Sequence, residues 1–327
     1  MDLFTKGLLN LLNKQNMKKN LYIIAIFLCS VSNTWAQDQT ASSLYTLFSP
    51  IVNPATMSNY DRFVTAGMFN YQMLNYKGGP VHFNVLAQAP IGKSNFYLGG
   101  GITHDRIGVR YKTDFDVSAA YRVKLYRNHY LSFGITGRVR LTEAQFNTLP
   151  DIDPNDPIFT SQTRQLLTPD FRLGVNYVSE YFFLGASVGN IFTPKFSAGG
   201  ASNISTRIED IHFYLQTGFI WVINKQWKLK PSILWRQIYG SPTQIDMNAT
   251  FEYKDRFGFG VAYRTTESVI FRLHVLIADQ FRIGYAFNMG TGFRNNIENF
   301  GNEIMLIYNV KKPQNTPMFK KSNTQCY

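Results

Sequence analysis

The sequence predicts an all-β protein, a transmembrane antiparallel β-barrel of about fourteen strands. Three observations predict it. From Phe63 onward, apolar and polar residues alternate with a period of about 2 instead of 3.6. The alternating segments run about 9–13 residues, the length of a tilted membrane strand, whereas globular strands average about 5–6. The connections alternate between short and long, which suits short periplasmic turns and longer external loops.

Composition points the same way. Of 327 residues, 17% are charged and 15% aromatic, with 27 Phe and 19 Tyr. Globular domains carry about 25% charged residues. These proportions exclude a disordered chain, a coiled coil and an acidic solvating tail, and they suit a large lipid-facing surface. No window sustains a helical apolar stripe, and Gly recurs inside the apolar runs.

In chain order, the first element is an export signal, residues 1–36. Met17-Lys18-Lys19-Asn20 is a basic region, and Leu21–Val31 is an apolar run too short to span a bilayer comfortably. Thr34 and Ala36 are small residues that suit cleavage between Ala36 and Gln37. Met17 reads as the start, because the preceding residues only delay the basic region. Cys29 does not fit a lipoprotein site, since Leu28 stands where a small residue is needed. Cleavage removes four lysines and one aspartate, so the formal charge falls from +12 to +9. It leaves Cys326 alone, so no internal disulfide is expected.

Residues 37–62, rich in Ser, Thr, Asn and Pro, read as a periplasmic leader, and Asn53-Pro54-Ala55 reads as a turn. The barrel is expected over 63–310. Strands are placed near 63–72, 81–88, 95–105, 113–125, 130–145, 170–178, 181–190, 212–223, 227–238, 244–253, 256–265, 268–278, 280–289 and 302–310. Phe257, Phe259, Val261 and Tyr263, for example, alternate with Gly258, Gly260, Ala262 and Arg264. Trp227 with Trp235, and Phe213 with Trp221, place aromatics near the ends of apolar faces, as interfacial girdles do. Short connections include Ser179-Glu180, Asn224–Gln226 and Lys254-Asp255. The long ones include Met73–Pro80, Arg106–Lys112, Phe146–Pro169, Ile191–Ile211 and Gly290–Gly301. A soluble sandwich would share the alternation but has no reason to sort its loops. Residues 311–327 form a basic tail, periplasmic if the strand count is even.

The polar faces form a basic set: Arg122, Lys124, Arg138, Arg140, Arg172, Arg236, Arg264, Arg272 and Arg282. Such a lumen suits an anion-selective pore or a seat for an acidic partner. It equally suits a lumen of ion pairs with Asp116, Asp246 and Glu252. Nucleic acid is not expected as a partner, because the charge is spread over the strands of an exported protein. Asp151-Ile152-Asp153-Pro154-Asn155-Asp156 starts like a calcium loop, but Asp156 replaces the glycine of the turn and Gln162 the bidentate glutamate. The five histidines share no helical spacing and have no cysteine partner, so no metal or other cofactor is expected. No nucleophile elbow or P-loop occurs, and the chain reads as a non-enzyme.

The segment Leu44–Ala55 (LYTLFSPIVNPA) resembles the N-terminal Tyr, Pro, Asn-Pro-Ala signature of the PorP/SprF family of outer-membrane proteins. Further resemblance lies in Gly99–Ile102 with Asp105 and Gly108, in Leu131–Gly134, Asp153–Phe159 and Asp170–Val175, and in Tyr181–Asn190. The closing strands, Phe281–Tyr285 and Asn302–Tyr308, agree too, with Asn302 where the family has histidine. The resemblance implies a barrel of the type IX secretion and gliding machinery of Bacteroidetes, set in outer-membrane lipid. It implies two further kinds of partner: periplasmic ring or peptidoglycan-associated components, and the C-terminal sorting domains of secreted proteins or adhesins. The function it implies is support of secretion or surface anchoring of cargo. The residues alone leave open a transport barrel or porin for small solutes, anions among them.

Overall fold

The computed structural model describes residues 42–73, 78–145, 164–196, 202–205, 211–239, 241–265, 268–290 and 300–310. All lie within one compact unit, Gln39–Tyr327. The signal segment, the Asp151–Asp156 loop and the 311–327 tail fall outside the described residues.

Fourteen staves close an up-and-down antiparallel barrel. They are β1 (Val64–Gln72), β2 (Val81–Pro90), β3 (Phe96–Ile107), β4 (Arg110–Tyr126), β5 (His129–Ala144), β6 (Arg164–Val178) and β7 (Phe182–Gly189), followed by β8 (His212–Phe219), β9 (Trp227–Ile238), β10 (Gln244–Tyr253), β11 (Phe257–Arg264), β12 (Ser268–Ile277), β13 (Phe281–Gly290) and β14 (Phe300–Asn309). Each stave pairs with its neighbours in sequence, and β1 pairs with β14, from Val64 opposite Asn309 to Gln72 opposite Gly301. Closure leaves no stave with an unpaired edge, which a structure in lipid requires. A separate two-stranded ladder joins Thr193–Phe196 to Ser202–Ser205.

Period-2 patterning explains the two faces of the wall. Along β11, Phe257, Phe259, Val261 and Tyr263 are exposed while Gly258, Gly260, Ala262 and Arg264 are buried. The outer surface carries Phe69, Phe83, Phe115, Phe133, Leu173, Phe271 and Ile304, all exposed. At the short-turn end aromatics pair between neighbouring staves: Phe96 with Tyr121, Phe182 with Phe219, Trp227 with Tyr253 and Phe281 with Tyr308, at 4.6–5.0 Å between ring centroids. Such a belt sits at a membrane–water interface. Two of the short turns, at Lys254-Asp255 and Ala278-Asp279, hold both residues at φ of 50–57°. That backbone matches the twist of the flanking strands in a two-residue hairpin.

Three expectations need correction. The connection read as Arg106–Lys112 is a two-residue turn at Gly108-Val109, because β3 and β4 pair as far as Ile107 opposite Arg110. Gly108, at φ +57°, permits so tight a turn. Residues 164–169, read as loop, extend β6, with Arg164 opposite Ala144 of β5. The largest correction concerns the leader. Its described part, Ser42–Arg62, is no free periplasmic segment. It folds inside the barrel as three 3-10 turns, Leu44–Thr46, Ser49–Ile51 and Pro54–Asn59. Leu44, Tyr45, Phe48, Ala55 and Met57 are 0–1% exposed. From Ser42 to Tyr60 no residue is charged, so this segment lies in the lumen without desolvating an ion.

Candidate functional site

The site is the lumen and the leader within it. The leader is bonded to the wall on opposite sides of the ring. On one side, Glu303 of β14 accepts from the backbone N–H of Ser43 at 2.8–2.9 Å and of Leu44 at 3.2 Å. The same carboxylate accepts from Ser42 Oγ, Asn70 Nδ2 and Asn288 Nδ2 at 3.1–3.2 Å. Glu303 is fully buried, and these donors take the place of the water its charge has lost. Next along this side, Asn248 of β10 donates to Tyr45 Oη at 2.8 Å, and Arg272 of β12 donates to Thr46 Oγ1 at 2.9 Å.

On the other side the leader rests where the wall is smooth. Asn53 caps the third 3-10 turn, its Oδ1 accepting from Ala55 N at 3.0 Å. Its Nδ2 donates to Val175 O of β6 and Ala186 O of β7, at 2.9 and 3.2 Å. One amide thus ties the turn to two staves. The approach needs glycine: a Cβ on Gly174 would lie 2.0 Å from Asn53 Oδ1, and one on Gly134 would lie 2.3 Å from Ala55 N. Further down, Ser58 Oγ donates to Ser132 Oγ of β5 at 2.6 Å. Arg122 of β4 donates to Ser58 O and to Asp61, both at 2.7 Å. The chain then leaves the lumen at the short-turn end and enters β1.

The basic residues expected on the polar faces divide into three groups by what they touch. Arg122, Arg172 and Arg272 reach the leader, Arg172 through Ile51 O at 2.7 Å and Arg272 through Ser43 O at 3.3 Å. Arg138, Arg140 and Arg264 pair with carboxylates across neighbouring staves. Arg138 holds both oxygens of Asp116 at 2.6 Å, Arg140 holds Asp114 at 2.8 Å, and Arg264 holds both oxygens of Asp246 at 2.8 Å. Of the remainder, Arg236 lies over the Tyr214 ring at 5.4 Å from its centroid, Arg282 is buried on β13, and Lys124 stays exposed near the end of β4. Glu252 pairs with Lys230 at 2.9 Å. Much of the basic face is therefore either neutralised within the wall or used to hold the leader.

A closed fourteen-stave barrel with an apolar outer face and an aromatic belt is an outer-membrane protein. The chain belongs to the family of type IX secretion system membrane proteins PorP/SprF, whose model matches residues 34–308. No curated protein matches it in sequence. Among solved structures, it is similar to the toluene transporter TodX of P. putida, with 12% identity over 80% of this chain and 94% of that one and a TM-score of 0.50. The toluene transporter TbuX of Ralstonia pickettii shares 12% identity over 80% and 93% of the two chains, with a TM-score of 0.49. The CymD monoaromatic hydrocarbon channel shares 10% over 84% and 94%, also at 0.49. At these identities the likeness concerns the barrel alone.

Proposed function

We propose that this barrel serves type IX secretion as a closed, non-enzymatic platform that supports secretion or surface anchoring of cargo. One observation carries the reading: the leader spans the lumen and is hydrogen-bonded to β14 and β12 on one side and to β5, β6 and β7 on the other. A diffusion barrel for small anions would require those bonds to break for every passage. On this reading the long-connection end faces the cell exterior and meets the sorting domains of cargo. The short-turn end and the 311–327 tail face the periplasm and meet ring or peptidoglycan-associated components. Cleavage between Ala36 and Gln37 precedes seating of the leader, since only Gln37–Ala41 would then stand ahead of Ser42. The test is to isolate the tagged protein from native outer membranes and identify what accompanies it by mass spectrometry. Secretion-ring components or a large secreted protein are expected. Isolation without any secretion component would contradict the reading.

A further inference from the structure

We infer that a cavity between the leader and the upper wall is a seat for one oxyanion group, a carboxylate or a phosphate, held by Arg172 and Arg236. The cavity measures about 80 Å³, and Ser42, Ile51 and Val52 of the leader line it. Both arginines line it.

The charge balance around this cavity is uneven. Each carboxylate that lines it already has a cation. Asp105 lies against His82 and is 3.2 Å from Lys112. Asp114 takes Arg140 and Arg138, and Asp116 takes Arg138. Arg172 and Arg236 have no carboxylate within 4.0 Å among the described residues. Arg172 gives one N–H to Ile51 O, and that is its hydrogen bond to the described chain. Arg236 is 6% exposed, and its buried Nε meets no acceptor. Its partner is the face of Tyr214, which attracts the cation but accepts none of its in-plane N–H groups.

A buried guanidinium with no carboxylate in contact is costly, because it has lost water and the charges nearest it, Asp116 and Asp170 for Arg172 and Asp246 for Arg236, act only from beyond 4.0 Å. Its planar fork of donors matches the two oxygens of a carboxylate or phosphate. Two such groups on one polar cavity, each short of acceptors, define an oxyanion seat. Whether the oxyanion comes free in solution or as an acidic side chain of a protein segment, the chemistry at the two arginines is the same. The inference does not depend on which step of secretion the barrel serves.

Calorimetric titration of the detergent-purified, full-length mature protein tests it. The probes are inorganic phosphate, a short Gly/Ser peptide with one Asp, and the same peptide with Asn. Saturable binding of phosphate or of the Asp peptide is expected, and none of the Asn peptide. A peptide that binds more tightly than phosphate identifies a protein segment as the source; the reverse order identifies a free anion. Arg236→Met and Arg172→Met are each expected to weaken binding about tenfold or more. Arg256→Met, which alters an exposed pair with Asp279 at a short turn, is expected to leave it unchanged. Should either Met variant lose its heat-modifiable barrel band, Arg236→Lys keeps the charge but not the fork, and a severalfold loss is expected. A wild-type protein that binds neither oxyanion, or binding that survives substitution of both arginines, would overturn the inference.

Discussion

Glu303 is the residue on which the seating of the leader depends most. It is buried and gathers two backbone N–H groups, a hydroxyl and two amides. Hydrogen bonds to a charged acceptor contribute about 1.5–3 kcal/mol each in favourable cases. Glu303→Gln keeps the shape, removes the charge and turns one acceptor into a donor facing other donors. It is expected to lower stability by about 2 kcal/mol or more. The temperature at which the folded band converts to the unfolded one on a denaturing gel measures this. An unchanged conversion temperature would show that the carboxylate does not hold the leader. A similar argument applies at Gly174, where any side chain would occupy the place of the Asn53 amide. The Asn-Pro-Ala triplet is visible in the sequence as a turn. Its docking against Gly134 and Gly174 is not, because glycines within a strand carry no mark of what approaches them.

At the scale of elements, the staves were legible and the leader was not. Strands such as β9, β10 and β12 fall within a residue of their expected limits because lipid on one side and a polar lumen on the other enforce strict alternation. β6 begins earlier than expected, since Thr168 and Asp170 face inward but Pro169 interrupts the pattern of strand formers. The leader escaped because short 3-10 turns have no long period to read. The clue present in the sequence was its lack of charge from Gln39 to Tyr60, together with Leu44, Phe48 and Met57, in a segment assigned to water. Its position can be checked by cross-linking. Ser58 and Ser132 bring their hydroxyls to 2.6 Å, so Ser58→Cys with Ser132→Cys, in a Cys326→Ser background, is expected to form a disulfide on mild oxidation. The product is a change in gel mobility that a reductant reverses. Free thiols after oxidation would place the leader elsewhere.

For the molecule as a whole, the basic face admits three meanings: an anion-selective pore, a seat for an acidic partner, or a wall of internal pairs. The pairs Arg138–Asp116, Arg140–Asp114 and Arg264–Asp246 support internal pairing over most of the lumen, and Arg122, Arg172 and Arg272 reach the leader. A family role in type IX secretion does not by itself separate a platform from a channel. The proposal of a platform rests on the leader, whose effect on ion flow can be read one molecule at a time. The measurement that tests this most directly is planar-bilayer conductance of the mature protein beside a variant lacking Ser42–Tyr60. The account predicts a silent full-length barrel and stable, salt-dependent openings once the segment is removed. Steady conductance from the full-length protein, equal to that of the variant, would contradict it and leave a pore in place of a platform.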